Sequence, residues 1–140
     1  MFVQLDAEMT EMTEAQQHVF ALLRTVQYDR FDGSKVVDDL IRWRPLWESV
    51  LADWLMYSTG TRFEPVCDLR RLWYLSAGEW MVDTVHILTS GADDTLLRRL
   101  IEEHWEGAAL HVLTDEEIEW NLNTGFDLPE GRHVYRIWWD

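Results

Sequence analysis

The stretch Met81–Thr114, MVDTVHILTSGADDTLLRRLIEEHWEGAALHVLT, decides the fold. MVDTVHILTS is rich in β-branched and apolar residues and reads as a strand. GADDTLLRRLIEEHW then places Leu96, Leu97, Leu100, Ile101 and Trp105 on one side of a helix, which Gly107 stops. AALHVLT follows as a second, near-continuous apolar strand. Strand, helix and strand at this spacing predict a βαβ unit with two parallel strands buried on both faces.

Downstream, NTGFDLPEG reads as a turn-rich loop, and RHVYRIWWD as a last strand in which His133, Tyr135, Ile137 and Trp139 alternate with Val134, Arg136 and Trp138. Upstream the periodicity is helical. Val19, Phe20, Leu22, Leu23 and Val26 recur at helical spacing within about residues 13–28, with Thr13 as N-cap. DRFDGS breaks that pattern, and Ser34 is the expected cap of a second helix with the stripe Val36, Val37, Leu40 and Ile41. Pro45 splits the segment that follows, so one helix ends near Trp43. Another runs from Pro45 to about Tyr57 on Leu46, Trp47, Val50, Leu51, Trp54 and Leu55. A shorter helical stretch is expected around residues 68–76, and Phe2 to Leu5 reads as an edge strand or an ordered arm. The expected architecture is α+β: a helical N-terminal half of three to four helices packed on a small mixed β-sheet containing one βαβ unit, in a single domain over residues 1–140.

Composition bounds the function. A chain of 140 residues that is 47% hydrophobic and 27% charged can bury a proper core. Its nine tryptophans must be largely buried or reserved for an interface. Twelve basic against 26 acidic residues give a net charge of −14, which repels nucleic acid and anionic lipid and attracts basic surfaces. Cys67 is the single cysteine, so no intrachain disulfide forms and a reducing compartment is expected. The first ten residues lack a signal-peptide pattern and no apolar run is long enough to span a bilayer, so a cytoplasmic protein is expected.

No motif carries a recognisable chemistry. The loop Thr89–Asp94 lies where a phosphate loop would lie, but its glycine pattern fits neither G-x-G-x-x-G nor a P-loop, and Asp93 and Asp94 occupy the helix start themselves. An ordinary capped helix is the expected reading. His86 and His111, on the two expected parallel strands, could meet near Asp83 or Asp115, yet no metal-binding spacing supports a metal site. Cys67 has no base near it in sequence, and Ser76 and Ser90 lack a nucleophile-elbow setting. No catalytic residue, cofactor or metal is expected.

The acids are unevenly placed. Residues 90–140 hold twelve of them against four arginines, and Asp6, Glu8, Glu11 and Glu14 precede the first cation, Arg24. In TDEEIEW, Asp115, Glu116, Glu117 and Glu119 are nearly consecutive, so on a helix they spread outward rather than converge on one ion. A solubilising face is the ordinary reading of such a run, but solubility needs far less charge than this. The expected function is therefore a non-enzymatic binding protein whose carboxylates stand in for phosphates on a basic, nucleic-acid-binding surface. Its contact residues would be Asp115, Glu116, Glu117, Glu119, Trp120, Glu102, Glu103 and Glu106, with Trp138 or Trp139 as further apolar anchors. Small acidic proteins of this type include DNA mimics, anti-CRISPR inhibitors of defence complexes carried by phages and mobile elements, and immunity proteins against nuclease toxins. The expected partner is a basic protein or ribonucleoprotein complex, with no direct binding of nucleic acid or membrane and room for a homodimer. The alternative is a small intracellular enzyme with a site at the C-terminal ends of the βαβ strands, drawing on Ser90, Asp93, Asp94, His86, His111 and Asp115. A third reading is an acidic surface adapted to high salt.

Overall fold

A computed structural model of the chain describes residues 12–28, 30–53, 72–78, 80, 82–122 and 128–139, without the side chains of 28, 53 and 119–122. In chain order, the described elements are α1 (Glu14–Leu23), β1 (Gln27–Tyr28), β2 (Phe31–Asp32), α2 (Gly33–Arg42), a 3-10 turn (Arg44–Leu46) and β3 (Trp47–Asp53). They continue with β4 (Thr84–Thr89), α3 (Asp94–His104), β5 (Ala108–Val112), α4 (Asp115–Leu122) and β6 (Val134–Trp139). Residues 72–76 are also helical. The protein is mixed α+β. The expected arm over Phe2 to Leu5, the acids Asp6, Glu8 and Glu11, Trp54 and Cys67 lie outside the described residues.

The main sheet has the order β3-β4-β6-β5, and every pairing in it is antiparallel. This corrects the expected βαβ unit. Helix α3 does join two strands of like direction, since β4 and β5 each run against β6, but β6 lies between them. The parallel ladder is replaced by two antiparallel ones, with His86 and His111 each opposite Arg136. The inserted strand is remote in sequence, so nothing local to Met81–Thr114 reports it.

A second correction falls on residues 45–57, expected as a helix. Trp47–Asp53 is strand β3, paired along β4. Its register slips between Trp47 and Ser49, so Glu48 is an extra residue bulged out of the ladder. The bulge puts two inward side chains, Trp47 and Val50, three residues apart instead of two. A helical period in the sequence is the result. Among the described residues, the N-terminal half thus holds two α-helices, the short β1–β2 pair between them and a strand after them.

The other local signals hold, except that the first helix stops at Leu23, short of the expected residue 28, with Gln27–Tyr28 a strand, and that one cap shifts. Thr13 caps α1 by accepting from the amide of Gln16. Helix α2 is capped by Asp32, which accepts from the amide of Lys35, and Ser34 sits inside the helix. Gly33 is required there: a Cβ would lie 1.9 Å from the carbonyl oxygen of Leu23. Asp93, left-handed at φ 40°, caps α3 through the amide of Leu96.

One core joins the helices to one sheet face. Phe20 and Leu23 of α1, Val36, Val37 and Leu40 of α2, and Leu97 and Ile101 of α3 meet Trp47, Val50, Val85, Ile87, Tyr135, Ile137 and Trp139. Rings bind the layers: Trp139 packs edge-on against Phe31 at 4.4 Å, Trp105 lies 5.6 Å from Trp139, and Trp43 lies 5.5 Å from Trp105. Buried Asp39 accepts from Trp105 Nε1 at 2.9 Å and from Lys35 Nζ at 3.0 Å. Lys35 Nζ also donates to the carbonyl of His104 at 2.7 Å. The single lysine thereby ties α2 to the negative end of α3.

The two outer strands are β3 and β5. The free edge of β3 is covered at Val50 by a side chain. Gln16 Nε2 donates to the carbonyl of Val50 at 2.9 Å, and Gln16 Oε1 accepts the amide of Val50 at 2.8 Å, both buried. The amide side chain takes the place of a neighbouring strand.

Candidate functional site: an acidic edge and an adjoining cleft

The acids expected to meet a partner fall into two groups, set apart by β5. Glu102 and Glu103 of α3 and Glu106 of the following turn lie before the strand, and all are exposed. Asp115 and Glu116 open α4 after it and are exposed as well. None of these five forms an ion pair among the described residues. Five strand residues at ~3.3 Å each put about 16 Å between the two groups.

Glu117 has a different task. Its carboxylate accepts from the amide of Thr114 at 3.1 Å, while the amide of Glu117 donates to Thr114 Oγ1 at 3.2 Å. This reciprocal capping box starts α4. The same carboxylate meets His111 Nε2 at 2.8 Å, fastening the helix start to β5. The Thr114 amide first, and the histidine second, hold its pKa at about 2, down from an ordinary 4.5. Thr114-x-x-Glu117 is a signature visible in the sequence, and it removes one of the four acids from the displayed set. Ile118 is buried and anchors α4, while the side chains of Glu119 and Trp120 lie outside the described residues.

The expected apolar anchors also change. Trp139 is 6% exposed and belongs to the core, because the period of two along β6 turns it inward with Tyr135 and Ile137. Trp138 points to the other face and is half-buried. Among the described residues the exposed large aromatic is Trp73, at 74%, with Leu72 and Leu75 beside it on residues 72–76.

An open cleft of about 380 Å³ lies where β4 and β5 end, lined by Asp94, Thr95, Arg98, Val112, His133 and Tyr135. His133 Nδ1 and Asp94 Oδ2 are 2.5 Å apart. Thr89 Oγ1 donates to the same oxygen at 3.3 Å and accepts the amide of His133 at 2.9 Å. Tyr135 Oη donates to the Asp94 carbonyl at 3.0 Å. Burial first, and the Asp94 charge second, push the Tyr135 phenol above its ordinary value of 10.0, with Arg98 opposing. The second oxygen, Asp94 Oδ1, is buried without a hydrogen-bond partner. An aspartate on Nδ1 orients the imidazole and leaves Nε2 for proton transfer.

Of the residues expected at strand ends, only Asp94 lines this cleft. Ser90 is a turn residue that donates to the carbonyl of Pro45 at 2.7 Å, and Asp93 is a helix cap. His86 and His111 flank Arg136 on the opposite sheet face, where Arg136 Nε donates to His86 Nε2 at 3.0 Å. His133 was legible only as a strand residue; its pairing with Asp94, 39 positions earlier, has no local signal. Among the described residues no group of three or more metal-binding side chains occurs, and no helix is long and apolar enough to cross a membrane. The chain matches no family model, no curated protein and no solved structure.

Proposed function

We propose that the protein is a non-enzymatic binder whose carboxylates occupy a basic, nucleic-acid-binding surface of a protein or ribonucleoprotein complex. In that role it acts as an inhibitor of a nuclease or defence complex, of the DNA-mimic or anti-CRISPR type, or as a toxin-immunity protein. One observation carries the reading: Glu102, Glu103, Glu106, Asp115 and Glu116 are exposed, without an ion-pair partner among the described residues, and held on ordered elements at the two ends of one strand. Fixed charge of one sign steers association and penalises wrong partners. Trp73, with its exposed leucine neighbours, offers an apolar anchor outside the acidic groups.

The test is capture of partners from host lysate with mass spectrometry, followed by association kinetics at rising salt. A basic partner whose association rate falls about tenfold or more between about 50 and 500 mM salt is the expected result. Charge reversal at Glu116 together with Asp115 should slow association further, and the protein alone should leave DNA and RNA unretarded in a gel. Salt-independent binding, or direct retardation of nucleic acid, overturns the reading.

The Asp94–His133 cleft favours a second reading, an enzyme acting at the strand ends. Turnover of a chromogenic ester or phosphoester that disappears in His133→Ala, with the fold intact by circular dichroism, would support it; absence of any His133-dependent turnover would remove it.

A further inference from the structure

The two outer strands of the sheet end differently. β3 meets the side chain of Gln16, whereas β5 has no counterpart among the described residues. The amide of Leu113 donates to the carbonyl of Val134 at 2.9 Å, which makes Leu113–Val134 a hydrogen-bonded pair of the antiparallel ladder. Two-residue alternation then makes His111–Arg136 and Ala109–Trp138 the bonded pairs beyond it. Ala108, Leu110 and Val112 consequently turn their backbone groups away from β6. The amide of Ala108 is used by the carbonyl of Trp105, at 3.2 Å. The amides and carbonyls of Leu110 and Val112 meet no partner among the described residues.

Outer strands are commonly protected by a charge, a proline, a bulge or a covering element. The sequence AALHV carries no proline, lysine, arginine or carboxylate, and its pairing with β6 is regular. Protection sits instead at its ends, as Glu106 on one side and Asp115 and Glu116 on the other. A second copy added antiparallel about Leu110 would set Glu106 of each chain against the Asp115–Glu116 turn of its mate, acid on acid. A segment with cations at its ends would meet a carboxylate at each.

We infer that the edge of β5 is a strand-addition site for an extended segment of the partner, about seven residues long and flanked by Lys or Arg at both ends. The inference rests on the acidic-surface reading for the charge of its occupant and adds the mode of contact. Main-chain hydrogen bonds to Leu110 and Val112 supply affinity, and the flanking carboxylates choose the partner and exclude self-pairing.

The test uses the full chain and two synthetic peptides with the core Thr-Val-Thr-Val-Thr, one ended by Lys-Lys on both sides and one by Glu-Glu. Amide hydrogen exchange is followed by NMR. Saturating Lys-ended peptide should slow exchange at Leu110 and Val112 by at least about fivefold, with little effect from the Glu-ended one. Leu110→Pro and Val112→Pro each delete an amide that β6 does not use, so each should abolish the slowing at the other, retained amide while thermal unfolding stays cooperative. Equal slowing by both peptides, or unchanged exchange at the two amides with saturating Lys-ended peptide, overturns the proposal. A captured partner that keeps its salt sensitivity and binds Leu110→Pro as tightly as the parent would also overturn strand addition, leaving the acidic-surface reading in place. Salt-insensitive binding would remove that reading whatever the two amides do.

Discussion

The outer strands β3 and β5 bound the same sheet, yet one is covered at Val50 and the other has no cover among the described residues. At β3, a buried glutamine from α1 occupies both backbone groups of Val50 at 2.8 and 2.9 Å. At β5, the corresponding groups of Leu110 and Val112 meet no partner among the described residues, and the strand itself carries no carboxylate, Glu106, Asp115 and Glu116 standing beyond its ends. The contrast separates two ways of preventing unwanted pairing. Covering an edge removes it from use, whereas charging its ends leaves it available to an occupant of opposite sign.

The largest effect expected from breaking this contrast is at Gln16. Gln16→Ala leaves a buried amide and carbonyl of β3 unsatisfied, and should destabilise the protein by about 2 to 3 kcal/mol in urea denaturation. If the loss is no greater than that of an ordinary surface substitution, the seal is not structural. Leu110→Pro on the opposite edge should cost less than about 1 kcal/mol beyond Leu110→Ala, which removes the same core-packed side chain, since proline is tolerated where an edge amide faces away from the ladder. A loss matching that of Gln16→Ala would mean that the Leu110 amide has a partner, and the two edges would no longer differ.

The smallest effect is a pH dependence at the end of β5. Glu117, at about 2 against an ordinary 4.5, contributes stability that is fully present above pH 4.5 and is lost as pH falls through about 2. Glu117→Gln removes this titration. The parent should therefore exceed the variant in urea midpoint at neutral pH and converge with it as the solution is acidified through that window. A gap that stays constant down to pH 2 would show that the Thr114 and His111 contacts are not what holds the carboxylate.

How far the sequence reports each region follows from the range of the forces involved. Helix α3 and strands β4, β5 and β6 were legible because their apolar spacing and caps are local, as at Asp93 and Gly107. β3 was not, because the bulge at Glu48 replaces a period of two by a step of three between Trp47 and Val50. The direction of strand pairing was not legible either, since it depends on where β6 inserts, more than twenty residues beyond β5. At the site, exposure of Glu102, Glu103, Asp115 and Glu116 follows from the helical pattern, and that of Glu106 from its place in the turn that Gly107 ends. The capping box at Thr114 and Glu117 was written in the sequence as well, beneath the louder signal of clustered charge. The Asp94–His133 pair joins segments that only the sheet brings together.

The insertion of β6 has a consequence for synthesis. β4, α3 and β5 are synthesised before residue 134, and until β6 joins them the two strands have no ladder between them to hold the helix that joins them. The central rung of the architecture arrives after both of its neighbours, so assembly must await it, and any truncation before Val134 forfeits both pairings.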